Sequence, residues 1–520
     1  MNILGIGGVL GNAAAALLRD GDLVAAIEEI KVARRHIPGT LPEVAMSACL
    51  REGRIGTGDV DCVAIARPIR QDPQAGFHLA LRARFPRARV LVVEHHTAHA
   101  ASAWYPSPFT EGTVLTLDRV GDFRCGARWR GEGNELDVQE ELYYPDSLGD
   151  LYGRVTELLG FSARHDEHKV QWLSAWGDDR FVPLFTEIIG AGSWPALDQS
   201  WFDRDRLGHG GFSAKFYDRL GLDEGEPPSE NLRPHVAAGL QRAVESAVLR
   251  MASGRRNVCL AGGLALNVML VAALEREHSV FVQPVAGNAG TALGAALHAW
   301  HSVYEQTSRI SLGDLCLGPG FTADEVKQVL ENCKLRFRYL LTTGELIETA
   351  VRLLGENRIV AWMQGRMEFG PRALGNRSIL ASPRDPYSSE NLNVFIKHRE
   401  PFRKFAASVP EELAAEYFEV GPNARYLATV GRVKPEHRTT FETALLGRDM
   451  VRVHTVSRVD NPLYYELLLE AGKKTGLPVL YNTSFNLFND PLVCGPRDAV
   501  RGFYSSGIDA LFVGNFLLEK

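Results

Sequence analysis

Residues 3–28 read ILGIGGVLGNAAAALLRDGDLVAAIE, and residues 113–142 read TVLTLDRVGDFRCGARWRGEGNELDVQEEL. In the first, Ile3–Gly7, Ala13–Leu18 and Leu23–Glu28 are apolar runs of strand length, parted by a glycine turn and by Asp20-Gly21. Strand, glycine turn, strand, Asp-Gly turn and strand make a meander of hairpins. Thr113–Leu117, Cys125–Arg130 and Glu135–Leu142 repeat that arrangement around a turn at Asp118–Asp122. Each copy is followed by helical sequence, so the pattern predicts one α/β unit built twice.

The rest of the composition sets limits. A chain of 520 residues has room for two to four domains, each with its own core. Charged residues make up 23% and hydrophobic ones 45%, as in ordinary globular proteins. A net charge of -6 gives no bulk attraction to nucleic acid or an anionic membrane, so any anion site must be a local cluster. The seven cysteines are scattered and never spaced as CxxC, which excludes a disulfide framework and a thiolate zinc site. MNILGIGG enters a strand without a basic leader, and no apolar run reaches membrane-spanning length. The expected location is the cytoplasm.

Four stretches carry candidate chemistry. In VLVVEHHTAHAASAW (90–104) a strand gives way to a small-residue helix on which His95 and His99 stand at i and i+4. Two imidazoles on one face suit a shared metal ion, and equally suit plain packing. Asp118 and Asp122 follow a strand, where α/β folds place metal and phosphate chemistry, although a turn aspartate also bonds its own backbone. Lys169 is the informative member of the helix-opening Asp166–Lys169. Val258–Asn267 and Val280–Leu297 are strand–glycine–helix units whose bare N–H groups fit an anion or a purine.

The fourth stretch, Trp362–Lys404, holds Arg366, Arg372, Arg377, Arg384, Lys397, Arg399, Arg403 and Lys404 among apolar residues and glycines. It reads either as an arginine-rich interface or as a pocket gripping phosphate and carboxylate through bidentate guanidinium contacts.

The duplicated meander resembles the actin-like ATPase superfamily, which holds nucleotide phosphates between its copies. More specifically, GRMEFGPRALGNRSIL (365–380), Lys397-His398-Arg399 with EPFR, NTSFN (482–486) with DPLVCGPRDAV, and DALFVGNFLL (509–518) resemble the O-carbamoyltransferase family of NodU and tobramycin carbamoyltransferase. EHHTAHAASA, LTLD-x-x-GD, DE-x-KV and LAGG-x-ALN extend the resemblance through the first half. The resemblance implies an α/β chain with a duplicated actin-like (ASKHA, ribonuclease H-like) domain over about 1–325. A linker near Leu312–Phe321 would lead to a YrdC-like α/β domain over about 340–520.

It further implies that carbamoyl phosphate and ATP, with Mg2+, form carbamoyl-adenylate in the second domain. The carbamoyl group would then pass to a small-molecule acceptor in the metal-bearing first domain, in specialised metabolism such as antibiotic biosynthesis. Lys397, Arg399, Arg372 and Arg377 would be catalytic. Arg366, Ser378, Asn482, Thr483, Ser484, Asn486, Gly262, Gly263, Asn267 and Lys169 would bind substrate or nucleotide. His95, His99 and Asp118 would hold a divalent metal, Fe2+ by resemblance. Neither nucleic acid nor a membrane is an expected partner; a homodimer is.

The chain also departs from the family pattern. Leu10-Gly11-Asn12-Ala13 stands where the family carries His-Asp-Ser, so the general base for the acceptor hydroxyl is missing. Asn288 replaces an aspartate that would ligate the metal, a loss of one negative charge that weakens the site. Arg119 follows Asp118 in place of glycine, and Leu446–Met450 replaces a His-Val-Asp-Gly-Thr stretch. Three expectations follow. Another base such as His36, His96 or His168 serves; or the acceptor is an amine that needs less base assistance; or the chain binds nucleotide without transferring and supports a partner enzyme.

Overall fold

The computed structural model describes residues 1–520 apart from 36, 68–73, 204, 206–207, 385–389 and 488–489. The first meander forms β1 (Asn2–Gly7), β2 (Ala14–Arg19) and β3 (Asp22–Glu28), joined by β4 (Cys62–Ala66) and β5 (Arg89–Val93) in the order β3-β2-β1-β4-β5. The second forms β6 (Glu111–Gly121), β7 (Arg124–Glu132) and β8 (Glu135–Tyr143), joined by β9 (Asn257–Ala261) and β10 (Ser279–Val282). Its order, β8-β7-β6-β9-β10, is the same sequence of strands, antiparallel within the meander and parallel beyond it. This is the duplicated ribonuclease H-like architecture of an actin-like domain.

The two copies meet through a pair of helices in equivalent places, His95–Trp104 after β5 and Gly290–His298 before residue 300. Their contact is made of alanines and glycine because larger side chains would hold the backbones apart. A methyl group at Gly294 would lie 1.7 Å from the Ala98 carbonyl oxygen, well inside van der Waals contact. The shared apolar core includes Ala98, Ala101, Ala292, Leu293 and Ala296.

Beyond residue 337 lie β11 (Arg338–Tyr339), β12 (Val360–Met363), β13 (Arg377–Ala381), β14 (Ala406–Pro410), β15 (Phe418–Glu419), β16 (Gly431–Val433), β17 (Met450–Val456), β18 (Leu480–Ser484), β19 (Ala510–Val513) and β20 (Phe516–Glu519). They form one mixed sheet, ordered β11-β20-β19-β12-β13-β18-β14-β17-β16-β15.

The two parts are stitched by buried polar contacts. Lys31 Nζ donates to the carbonyls of Glu368 (2.8 Å) and Gly370 (2.6 Å) and pairs with Glu28 at 3.0 Å. The Gly370 amide donates to Glu28 Oε1 at 3.0 Å. The connecting segment 312–321 is tied to both sides: the Ala26 amide donates to Leu317 and the Gly318 amide to Met367. Among the described residues, no helix is long and apolar enough to cross a membrane.

Candidate functional site

Glu94 ends the strand–helix junction by capping: its carboxylate accepts the amides of His96 (3.0 Å) and Thr97 (2.7 Å), which starts the helix at His95. The i, i+4 spacing then turns His95 and His99 toward β6, where Asp118 waits. His95 Nε2 lies 3.0 Å and His99 Nε2 3.3 Å from Asp118 Oδ2. The three donor atoms sit within 4.8 Å of one another. Asp118 is not at a strand end, as the turn reading expects. β6 runs on to Gly121, and the pairing with β7 shifts between Leu117 and Gly121. That irregularity aims the carboxylate at the imidazoles. A side chain at Gly121 would strike the His95 ring, 2.2 Å from Cδ2, so the hairpin closes directly over the cluster.

Electrostatics fit a cation. Burial penalises the Asp118 carboxylate, yet the hydrogen bonds and charge of His95 and His99 hold its pKa well below the usual range. Burial also works against the His95 imidazolium, but Asp118 outweighs it and raises the pKa. His99 is fully buried and shifts down, through burial foremost. Among the described residues its Nδ1 has no hydrogen-bond partner, and its Nε2 faces only Asp118, at 3.3 Å. Two imidazole nitrogens and a carboxylate oxygen, one imidazole otherwise unsatisfied, fit a divalent ion. Arg119 does not intrude: its Nε donates to Asp150 Oδ1 at 2.8 Å. Gly262, at φ +96 against the Leu117 carbonyl, carries the chain past Asp118, and Gly263 lies beside the carboxylate. Asn267 is elsewhere. It caps the Val268–Glu275 helix and bonds Gln241 in a buried pair.

The expected substitute bases do not suit that role. Both ring nitrogens of His96 are engaged, by Thr116 Oγ1 (3.0 Å) and the Arg124 carbonyl (3.1 Å), and burial pushes its pKa to about 3. Burial, with Arg403 and Arg372 nearby, pushes His168 to about 3 as well. His36 lies outside the described residues.

The arginine-rich stretch divides in two. Arg377 is fully buried, and its guanidinium donates to the carbonyls of Cys494, Gln364, Gly365, Asn376 and Pro319. Arg366 donates to the Gly318, Val24 and Leu317 carbonyls and faces Glu52 at 3.5 Å. The reading of these two as catalytic and ligand-binding is corrected accordingly: carbonyl oxygens occupy the groups that would grip phosphate. They brace the loop between β12 and β13, helped by Glu368, whose Oε1 accepts the amides of Leu374, Asn376 and Arg377.

The other half gathers cations that lack carboxylate partners. Among the described residues, no carboxylate lies within ion-pair reach of Arg372, Arg399 or Arg452. Burial and mutual repulsion, chiefly with Arg403, lower Arg372 to about 10 and Arg399 to about 9, and Arg452 falls well below its ordinary value. Arg399 Nη1 donates to Thr483 Oγ1 at 3.1 Å. Lys397, 3% exposed, donates to the carbonyls of Ser484 and Asn486 and to Asn486 Oδ1. Burial, then Arg399 and Arg403, holds its pKa well below the lysine range. Lys397 therefore shapes the Asn482–Asn486 turn. Ser484 Oγ donates to Asn486 Oδ1, and Ser378 accepts the Gly375 amide within the sheet. Lys169 reaches across from the first part to Glu400 at 2.8 Å, and Glu400 faces Arg403 at 3.5 Å. The cluster thus lies at the junction of the two parts. Arg403 and Arg452 were not singled out as site residues in the sequence; the polar positions 452 and 454 alternating along MVRVHTV are the signal that marks a polar strand face.

The chain thus joins an actin-like α/β domain with a His-His-Asp cluster to a mixed-sheet part with guanidiniums that lack carboxylate partners among the described residues. The comparisons name its kind. A model described as carbamoyltransferase N-terminus matches residues 74–297, and one described as carbamoyltransferase C-terminus matches residues 351–520. Nodulation protein NolNO of Sinorhizobium fredii is 32% identical, over 98% of this chain and 78% of that protein. Nodulation protein NolO of Bradyrhizobium diazoefficiens is 33% identical, over 82% and 79%. The Synechocystis protein sll1178 is 33% identical, over 100% and 97%. Among solved structures, T. kodakarensis HypF is 14% identical with a TM-score of 0.36, covering 59% of this chain and 48% of that one. The chain belongs to the carbamoyltransferase family and is a carbamoyltransferase.

Proposed function

We propose that the enzyme makes carbamoyl-adenylate from carbamoyl phosphate and ATP at the Arg372–Arg399–Arg403–Arg452 cluster, then transfers the carbamoyl group to a hydroxyl or amine of a small molecule near His95, His99 and Asp118. The observation that carries the reading is that Arg372, Arg399 and Arg452 have no carboxylate partner among the described residues while Arg403 shares only Glu400, a repulsion that bound anions relieve. Both substrates are polyanions, and their phosphates neutralise that charge. In the first step a carbamate oxygen bonds to the α-phosphorus of ATP and pyrophosphate leaves, one water having released inorganic phosphate from carbamoyl phosphate. Arg372, Arg399 and Arg452 face charge that grows on phosphate oxygens, stabilisation worth about 3 kcal/mol for each well-placed donor. Lys397 keeps the Ser484 and Asn486 carbonyls turned inward, leaving the Asn482–Asn486 turn in one geometry.

A divalent ion held by His95, His99 and Asp118 would supply Lewis-acid polarisation of an oxygen. The protein's own contribution there is a prepaired, ionised Asp118 and a hairpin that shields the cluster. With His96 and His168 too weakly basic, an acceptor that is already nucleophilic, such as an amine, suits the site better than an unassisted hydroxyl.

The test is release of AMP and pyrophosphate by the purified enzyme given ATP and carbamoyl phosphate. Release that requires both is the expected result. Folded protein that releases neither would sink the proposal.

A further inference from the structure

Tyr339, Phe516, Val513 and Met363 are register partners across the four adjacent strands β11, β20, β19 and β12. Directly paired residues rise from one face, so the four side chains make a continuous apolar row, roughly 14 Å long at about 4.8 Å per strand. Phe321, with Ala323 and Val326 in the first turn of the Ala323–Asn332 helix, completes a cavity of about 260 Å³ over this row. Gly495 makes room for Phe321, since a Cβ there would lie 3.0 Å from its ring. Phe516 is buried, but the fold leaves Tyr339 46% and Phe321 37% exposed, two aromatic rings uncovered on the border of one cavity. Beside Gly514, which also lines it, a methyl group would meet nothing within 4 Å.

One end of the cavity is polar. β12 and β19 run parallel and both stop here, at Met363 and Val513, and open α/β sheets take ligands beyond the carboxyl ends of such strands. The residues that follow supply two amides. Gln364 donates through Nε2 to the Gly514 carbonyl at 3.0 Å, and Asn515 donates through Nδ2 to the Leu340 carbonyl at 2.9 Å. A carbonyl oxygen can only accept, so each amide is fixed with its nitrogen on the protein and its oxygen left as an acceptor. None of the lining residues is charged. Apolar floor, uncovered rings and two amide oxygens select a flat, neutral molecule that brings hydrogen-bond donors. The volume falls just below the range of about 300–1,000 Å³ for drug-sized sites, which limits the occupant to a single ring system with a short substituent.

We propose that this cavity binds an amino-substituted heteroaromatic ring of the nucleobase class, laid against Tyr339 and Phe321, with its amino group donating to Gln364 Oε1 and Asn515 Oδ1. An exocyclic amine carries two N–H donors and so matches two acceptors. An oxo group at the same ring position would set an oxygen against two oxygens, and sites built to pair such a group reject the analogue that lacks it. The ring has two sources, a nucleoside bound in its own right or the base of ATP, and only the second rests on the adenylation reading. Arg452, on β17, stands four strands from β12, roughly 19 Å away, so the base site is separate from that guanidinium under either source.

The test is titration calorimetry of the full chain with adenosine and with inosine, which carries oxygen in place of the amine, each repeated in the presence of ATP. Adenosine should bind, at least about tenfold more tightly than inosine. Tyr339→Ala, at a half-exposed position where folding is not at stake, should weaken both nucleosides about tenfold by removing a stacking surface. Gln364→Met, which keeps the length of the side chain but not its acceptor, should erase the preference for adenosine. No adenosine binding to the folded chain, equal affinity for inosine in the wild type, or binding untouched by Tyr339→Ala would overturn the assignment. Displacement of adenosine by ATP, with ATP binding itself weakened in Tyr339→Ala, would give the site to the base of the substrate. Adenosine that stays bound beside ATP would give it to a separate nucleoside. Adenosine binding in a chain that releases no pyrophosphate would leave this site standing and remove the adenylation reading alone.

Discussion

Replacing His454 by glutamine should flatten the acid side of the enzyme's stability curve by a defined amount. The imidazole is 3% exposed, and burial alone pushes its pKa to about 3. In the unfolded chain the same group titrates near 6.5. Between those values the unfolded state binds a proton that the folded state refuses, so acidification favours unfolding. From pH 7 to pH 5 one such group accounts for about 2 kcal/mol, since each pKa unit is worth about 1.4 kcal/mol. His96, also held to about 3, contributes the same way, but the difference between wild type and H454Q isolates His454. Urea unfolding followed by tryptophan fluorescence at pH 7, 6 and 5 reads it directly. H454Q should be less stable at pH 7 through loss of the hydrogen bond between His454 Nδ1 and Ser408 Oγ, and the gap should close by about 2 kcal/mol by pH 5. Parallel stability profiles would refute the reasoning, because they would mean that the folded state accepts the proton as readily as the unfolded chain.

Substituting Arg377 by methionine leaves a set of buried carbonyls without donors, and urea unfolding should show a loss of about 3 kcal/mol or more. R399M should instead leave stability nearly unchanged and raise KM for carbamoyl phosphate or ATP at least about tenfold in steady-state assays, since it removes a cation that has no counter-ion. His99→Ala should abolish tight binding of one divalent ion per chain, measured by metal analysis after dialysis against Fe2+, Mn2+ or Zn2+. Asn288→Asp should tighten that binding by restoring a negative charge, as titration calorimetry would show. Gly294→Val should destabilise the chain by at least about 3 kcal/mol or leave it insoluble, because its Cβ has no space beside Ala98.

The duplicated meander was legible because hairpin strands announce themselves locally, through apolar runs and the turn residues between them. The end of β6 was not. Arg119, Val120 and Gly121 carry no apolar run, yet Gly121 pairs with Arg124 of β7, and only that pairing reveals where the strand stops. Helix spacing put His95 and His99 on one face, whereas Asp118 joined them only through the family resemblance, because no local pattern brings β6 to that helix. The arginines were harder. Arg366, Arg372, Arg377 and Arg399 look alike in sequence, and what separates them is whether a carbonyl from a distant segment meets the guanidinium. Cys494 and Leu317 settle that for Arg377 and Arg366, and neither is near in sequence. Arg452 joins the cluster solely through the β14–β17 pairing, a contact across some forty-odd residues that no local pattern encodes.

Lys31 and Glu368 are separated by 337 residues along the chain, and this has a bearing on how the enzyme comes into being. Synthesis at about 5–20 residues per second puts roughly twenty seconds to a minute between the emergence of the lysine and that of the loop it anchors. Throughout that interval the Glu28–Lys31 corner has a charged socket with nothing to fill it. The loop bearing Arg372 is fastened only when the late segment docks, so a nascent chain has an assembled first sheet well before its cations are gathered. Every product of translation that stops short of that segment therefore lacks the assembled cation cluster.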